Sequence, residues 1–537
     1  MNIYNAENVI IGGGISGMTA AIELLNFGKK IVLIDKGFSH EFGAMAKWSF
    51  GGMFFVNTPE QRLTGIKDNP ELAFRDWKSI AEFEPTDYLG EKWAENYVYN
   101  CTDHVYRWVK KQGINFLPPV QWVERGLYGP GSSMPRFHIA WGTGKGITDA
   151  LEKTLRSHKN FSTHAQLYFE HTVEEILVEN NRIIGFKGTS PKGAFKALGE
   201  HNIVAAGGMG GNLEKVRENW PKNLGNPPKT LLNGLHPCID GSMLDAGEKI
   251  GANVVNKDLF WNYASGIHHP RPKFEHEGVA SFPPKSGIWL DATGKKFGPT
   301  PLIVHFDTKY SVDTIAKTEQ QYSWHISNYK MMLKEFAISG SEFTVPFREK
   351  SFIKLFKMVL SGNVELVKDM VDNCKDVLVA DTLEELVAKM NKLNGDELVN
   401  KNSVIEAVNR HDEMLNRGKK FHNDEQLRRI ANARQYIGDK MRVYKNMPIQ
   451  GEKNGPFVAL RLFLVSRKSL GGLKTDLSCR VLDQNNQPME GLYAIGEASG
   501  FGGGGIHGKA TLEGTFLGAC VFNGRVLAHH IADKKLF

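Results

Sequence analysis

The sequence predicts an α/β protein in which a doubly wound, Rossmann-like domain is interrupted by a long, mostly helical α+β insertion. Three observations predict it. Residues 8–37, "NVIIGGGISGMTAAIELLNFGKKIVLIDKG", place a strand, a glycine turn, a helix and a second strand in order. Residues 491–532 repeat strand, glycines and helix at the far end of the chain. Between them the character changes. Residues 260–310 are rich in Pro, Gly and aromatics, and 311–446 read as amphipathic helix, as in "LEELVAKMNKL" at 383–393. The expected domains are therefore 1–254 and 451–537, two parts of one domain, with 255–450 inserted as a cap.

The first unit carries the most specific chemistry. "VII" is a short buried strand, and 15–27 has the apolar spacing of a helix that Gly28 can end. Gly12 permits the tight turn between them. Gly14 lets a pyrophosphate approach the backbone N–H groups of Ile15 and Ser16, and Gly17 allows the helix to lie close on the strand. The second strand, "IVLI", ends at Asp35 and Lys36, about 20 residues beyond the glycines, where a carboxylate accepts hydrogen bonds from a ribose. Strand, glycines, helix, strand and acid are in register, which predicts a bound dinucleotide. The unit alone does not choose between NAD and FAD.

The bulk numbers exclude several classes. The chain has 537 residues, 41% hydrophobic and 23% charged, with a net charge of +7 whose basic residues are scattered. That suits a large globular protein and not a nucleic-acid binder. Five cysteines with no CxxC argue against a disulfide framework, a zinc site or a dithiol redox centre. No basic leader precedes Val9, and no run of about 18 apolar residues occurs, so the expected location is cytoplasmic.

Other stretches fit around a ligand. "EFGAMAKWSFGGMFF" (41–55) is a small-residue loop that can admit a ring system. "STHAQLYFEHTVEEILVENNRIIGFKG" (162–188) alternates as strands about an "ENN" turn. "HNIVAAGGMGGN" (201–212) is a strand ending in small residues. "GPFVALRLFLVSRKSLGGLKTD" (455–476) resumes strand-and-turn chemistry before "EASGFGGGGIHGKATLEGTFLGAC" (497–520).

In this order the pieces resemble the fumarate reductase and 3-ketosteroid dehydrogenase superfamily of flavoproteins. The resemblance rests on "GGGISG" with Asp35, "WSFGG", "IVAAGG", "PFVALRL", "SLGGLKTD", "GLYAIGEASG" and "GIHG", and spans nearly the whole chain. It implies FAD in a discontinuous domain beneath a mobile cap. It also implies where FAD lies: along Gly12, Gly14, Ile15, Ser16, Gly17, Asp35 and Lys36; past the loop residues Trp48, Ser49, Gly51 and Gly52; and beside Val173, Ala206 and Gly207. Gly496 and Glu497 fall at the phosphate and ribityl chain. Thr511 and Leu512, read as the start of a helix over 512–532, fall at the pyrimidine edge, and Gly502 to Gly505 form a wall between flavin and substrate. Succinate dehydrogenases attach flavin through a histidine in the loop before the paired glycines. "AMAKWSF" has none, so FAD is expected to be non-covalent.

The departures from the family matter for substrate. The stretch that carries a cap arginine in fumarate reductases is here "KKFGPTPLIVHF" (295–306), without arginine. Thr511 stands at the second arginine position, and Arg467-Lys468 replaces a histidine pair. The expected substrate is a small molecule, a cyclic ketone in preference to a dicarboxylate, with hydride moved to or from a C–C bond. His507, Lys509, Arg467 and Lys468 are the candidate acid, base or oxyanion contacts. Tyr310, Tyr322, Tyr329 and Tyr436 are available to polarise a ketone. His268-His269 and His529-His530 lack metal-ligand companions. An amine or alcohol oxidase, or a flavin-binding protein without turnover, remain the competing classes. The electron partner is not named by any motif, and the absence of CxxCH makes it a separate molecule.

Overall fold

The computed structural model describes every residue except 128. Both ends of the chain meet in one six-stranded sheet, ordered Arg480–Leu482, Pro488–Ala494, His201–Val204, Asn8–Ile11, Ile31–Ile34 and Ala165–Tyr168. All neighbours run parallel except the first pair. Asn8–Ile11 and Ile31–Ile34 are wholly buried, which is why they read as continuous apolar runs and not as alternation. The helix Ile15–Asn26 and the last helix, Thr515–Ile531, pack side by side. A Cβ on Gly524 would lie 2.7 Å from the Ser16 carbonyl, so glycine there permits the close approach.

The expected "ENN" hairpin is present as Thr172–Glu179 and Arg182–Ser190, with Asn180 and Asn181 both at positive φ. Such a pair of central residues matches the right-handed twist of the flanking strands. This hairpin belongs to a second, four-stranded sheet with Gly193–Leu198 and Asn2–Asn5.

The intervening segment is organised differently from the expectation. Its helices surround an antiparallel sheet ordered Ile288–Asp291, Tyr322–Asn328, Phe457–Ser469, Phe260–His268, Gly278–Phe282 and Ala337–Ile338. Phe457–Ser469 also pairs with Leu231–Asn233 and Val377–Ala380. The strand expected to open the second part of the first domain is thus the central strand of the cap sheet. The chain returns to the parallel sheet after Ser469, not at 451, and contributes to the cap as early as 231. Val458, Leu460, Leu462 and Leu464 bury one face of that strand against Met332, Val367 and Met370. The 311–446 region is therefore helical around the strands Tyr322–Asn328 and Val377–Ala380. Among the described residues no helix is long and apolar enough to cross a membrane.

Two further expectations change. The last helix begins at Thr515, with Gly514 as its cap, so Thr511 and Leu512 lie in the preceding turn. The four glycines face protein, not open space. A Cβ on Gly502 would lie 2.8 Å from the Trp93 ring, on Gly503 2.7 Å from Gly90 N, on Gly504 2.5 Å from Val255 and on Gly505 2.7 Å from Asn256. They let this turn seat flush against the helix Tyr88–Asn100 and residues 255–256.

Candidate active site

The glycines of the first unit divide their work by what surrounds them. Gly12 has φ of +108°, and a Cβ there would lie 2.3 Å from the Ala205 carbonyl. Gly17 faces the Gly12 carbonyl at 2.0 Å in the same sense. Gly14 differs: its backbone is ordinary, with φ −71°, and a Cβ there would meet nothing within 4 Å. It caps the helix Ile15–Asn26 without any side-chain hydrogen bond to the first turn. Uncapped N–H groups beside open space, fronted by a bare Cα, are what a pyrophosphate requires. The residues therefore fit a dinucleotide. Asp35 accepts from Gly13 N at 2.6 Å and Gly37 N at 2.7 Å, which fixes its carboxylate beside the turn. Lys36 instead pairs with Asp240 at 2.6 Å.

Gly496 joins this cradle. Its φ is +65°, and a Cβ would strike Ser16 Oγ at 2.5 Å. Next to it, Glu497 accepts from Ser469 N at 2.9 Å, and burial pushes its carboxyl up to about 7. Gly207 has φ of +81°, and Ala206 beside it is half-buried. The other ring-loop residues have structural partners. Gly51 would crowd Thr143 and Gly144, Gly52 the ring of Phe137, and Ser49 Oγ donates to the Ala46 carbonyl. Trp48 is half-buried, with the Lys273 ammonium 4.9 Å from its ring centroid. Val173 packs in the core beside Ile176 and Phe186. Thr511 is buried and donates to the Leu512 carbonyl at 3.1 Å.

Where the second sheet meets the turn before the last helix, a buried polar cluster forms. Glu513 accepts from Trp261 Nε1 at 2.6 Å and from the Tyr263 hydroxyl at 2.5 Å. Lys468 Nζ donates to that hydroxyl at 3.2 Å and stands 4.2 Å from the Phe516 ring centroid. Burial brings Lys468 down to about 8, against the pull of Glu513. Burial works to raise Glu513, but the Lys468 charge and the Tyr263 and Trp261 hydrogen bonds hold it below the ordinary carboxylate range. Burial and the Glu513 charge raise Tyr263 well above the ordinary phenol. The cluster thus holds an ionised acceptor, a neutral hydroxyl and a cation in one hydrogen-bonded line. Perturbed groups so arranged make this a candidate site for proton transfer.

His305 and Glu124 border it. The His305 ring lies 6.5 Å from Tyr263 and 4.3 Å from Phe282, neither of its nitrogens has a hydrogen-bond partner among the described residues, and burial brings it down to about 3. Glu124 accepts from Thr308 N at 3.0 Å and from the Thr308 hydroxyl. Burial, with the Glu513 charge, raises it to about 8.

Of the four candidate catalytic residues, only Lys468 joins this line. Arg467 adjoins it, 5.7 Å from the Tyr263 ring centroid, but its guanidinium donates to the Gly234 carbonyl at 2.6 Å. His507 is fully buried, stacked on Trp77 at 5.6 Å, and shares a hydrogen bond with Thr515 Oγ1. Burial, reinforced by Lys468, keeps it neutral. Lys509 lies apart from this line: its ammonium is at the surface, 2.6 Å from Glu84 and 3.9 Å from Glu82. Lys509→Ala is expected to leave turnover within about twofold of the parent, since exposed pairs contribute little; steady-state kinetics check it. Tyr322 is committed to Asn394 and Tyr436 to the Val120 carbonyl, while Tyr310 and Tyr329 pack in the cap core.

Tyr263, Glu513, Trp261, His305 and Glu124 were missed from the sequence. One signal pointed to His305, which lies in the very stretch where fumarate reductases carry arginine. Glu513 sits inside the quoted terminal motif but reads as an ordinary helix-start acid. Tyr263 and Trp261 lie in "FWNYASGIH", where every second residue reads as core.

A dinucleotide cradle joined to a buried polar line beneath a second sheet fits a dinucleotide-dependent oxidoreductase. The chain belongs to the FAD binding domain family, whose model matches residues 7–517. It is 39% identical, over 98% of its length and 96% of the relative's, to a KsdD-like steroid dehydrogenase of Mycobacterium tuberculosis. It is 23% identical to the fumarate reductase (cytochrome) of Shewanella frigidimarina, covering 98% of this chain and 76% of that one. In fold it is similar to a 3-ketosteroid delta1-dehydrogenase from Sterolibacterium denitrificans, solved in complex with 1,4-androstadiene-3,17-dione. That likeness has a TM-score of 0.73 at 17% identity and covers 99% of this chain and 100% of the other. The protein is an FAD-dependent oxidoreductase.

Proposed function

We propose that the protein dehydrogenates a C–C bond next to the ketone of a steroid-like substrate, with the Glu513–Tyr263–Lys468 line taking the proton. That line is the observation that carries the reading, and the steroid dehydrogenase relative supports the substrate class. FAD, when bound, supplies the hydride acceptor. Tyr263 presents an oxygen to the substrate proton while its own proton passes to Glu513, and Lys468 steadies charge on the hydroxyl. Aromatic walls at Trp261, Tyr263, Phe282 and Phe516 suit an apolar ring system. We read FAD as non-covalently held, because loop 44–50 lacks histidine, and the cap sheet with its helices as the substrate-binding layer. We also read the protein as cytoplasmic and its electron acceptor as a separate molecule. The test is product analysis with an artificial electron acceptor. A 3-ketosteroid should lose two hydrogens by mass, and unchanged substrate would refute the proposal.

The pH dependence follows from Lys468. Dehydrogenation releases a proton, so the cluster must be able to accept one. Glu513 takes that proton while Lys468 must stay charged to steady the hydroxyl, so with Lys468 at about 8 kcat for dehydrogenation and for the reverse reduction should both fall as pH rises through about 8. Lys468→Gln should abolish that limb in both directions. A pH–kcat profile measures it, since kcat reports groups of the substrate complex.

Fumarate should be a poor substrate. Thr511 is spent on a backbone carbonyl, Arg467 on Gly234, and 295–306 has no arginine. A second carboxylate left unpaired in a dry site costs several kcal/mol. Chemically reduced enzyme mixed anaerobically with fumarate should reoxidise no faster than a buffer control.

A further inference from the structure

The helix Phe352–Ser361 reverses the usual amphipathic arrangement. A surface helix normally turns its apolar stripe to the core. Here Phe352, Ile353, Phe356, Val359 and Leu360 are 54% to 73% exposed, and none of the helix's residues is buried. At about 100° per residue, these five side chains share one face of roughly 120°. Leu355 and Met358, both half-buried, lie on the opposite side. The helix is fixed in this attitude. Ser351 caps its first turn, and Asn363 N donates to the Leu333 carbonyl at 2.7 Å just past its end. Phe352 leans on Trp141, with ring centroids 4.7 Å apart, and Trp141 in turn meets Phe347.

The charges beside this face have one sign. Residues 345–361 contain Arg348, Lys350, Lys354 and Lys357 against the single acid Glu349. Glu349 is taken by Lys354 at 2.6 Å and Arg348 at 3.4 Å. Lys350 and Lys357 have no ion-pair partner among the described residues. Lys357 falls next to the apolar face on the wheel, where its flexible stem can reach past it to an anionic surface, while Lys354 lies on the far side with Glu349.

We propose that Phe352–Ser361 is a membrane-surface anchor, laying its outward apolar face into the headgroup–acyl boundary of an anionic bilayer. An apolar face of large aliphatic and aromatic side chains beside basic residues is the feature of a helix that lies in the interface and does not span it. The basic residues select anionic lipid over a neutral surface, with each lysine near the membrane adding to the attraction. A second copy of the chain would bring the same lysines into opposition, so the charge favours lipid. Phe347 also lies 5.9 Å from Phe50 in the loop that holds Trp48, which sets the anchor beside the ring-binding side of the molecule. The anchor stands independently of the substrate.

The test is co-sedimentation of FAD-loaded protein with vesicles of phosphatidylcholine alone and with added phosphatidylglycerol. Binding is expected to the anionic vesicles, at least tenfold tighter than to neutral ones, weakening as salt rises. Ile353→Ser/Phe356→Ser/Leu360→Ser should abolish it while flavin content and turnover stay those of the parent. Lys350→Gln/Lys357→Gln, at the two lysines without an ion-pair partner among the described residues, should remove the anionic preference. Failure to bind either vesicle, or undiminished binding by the triple variant, overturns the proposal. So does a concentration-dependent dimer, seen by light scattering, that the triple variant abolishes, because the face then belongs to a second copy.

Discussion

Glu513→Gln should lower kcat by about 10²–10⁴-fold while the protein keeps its flavin absorbance, the range expected for losing a positioned general base. The amide keeps the size of the carboxylate and can still accept from Trp261 and Tyr263. What it loses is the negative charge that makes it a proton acceptor and the partner of Lys468. Tyr263→Phe should fall into the same range by another route. It removes the hydroxyl that joins Lys468 to Glu513 and leaves the Trp261 bond intact. The two changes break one hydrogen-bonded line, so the double variant should be little worse than either single one. Additive losses would mean that the residues act separately. An effect on KM alone would mean that they only hold the substrate. The apparent affinity for FAD, by titration of the stripped protein, separates both outcomes from simple loss of the cofactor.

Gly14→Val should give folded protein without FAD. The position has an extended backbone open to any residue, and its Cβ would project into unfilled space. The apo protein should melt within about 0.5 kcal/mol of the parent, as for a substitution that touches nothing. The added methyls occupy the place of the pyrophosphate, so the purified protein should be colourless and resist reconstitution. Gly17→Val is the contrasting control. Its Cβ would lie 2.0 Å from the Gly12 carbonyl, so the helix must shift, costing at least about 1–3 kcal/mol. Thermal unfolding and flavin absorbance of the two variants distinguish a ligand-facing glycine from a packing one. The sequence motif treats them alike.

The parallel sheet was legible because its central strands, Asn8–Ile11 and Ile31–Ile34, are short, buried on both faces and followed by glycine or an acid, so local pattern and burial agree. The cap was not. Tyr322–Asn328 is buried along almost its whole length yet polar in composition, with Ser323, His325, Ser327 and Asn328 all inside. Its place is set by pairing with Phe457–Ser469, more than 100 residues away, which no local periodicity records. The four glycines at 502–505 misled for a related reason. Glycine marks close approach of backbone to something, and here that something is the helix Tyr88–Asn100 together with Val255 and Asn256. The proposed proton-transfer line was half legible: Lys468 stood in a recognisable motif. Tyr263 gains its meaning only when a strand from the insertion crosses to the turn before the last helix, and Lys509 loses its meaning when Glu84 comes to meet it.

The central claim is that a steroid-like ketone gives up hydride to the flavin at the Glu513–Tyr263–Lys468 site. Anaerobic stopped-flow mixing of oxidised holoprotein with a saturated-ring 3-ketosteroid tests it most directly. The account predicts rapid, saturable bleaching of the flavin band, slowed about 10²–10⁴-fold in Glu513→Gln. A flavin that stays oxidised with ketosteroids, or that bleaches equally fast in Glu513→Gln, would contradict it.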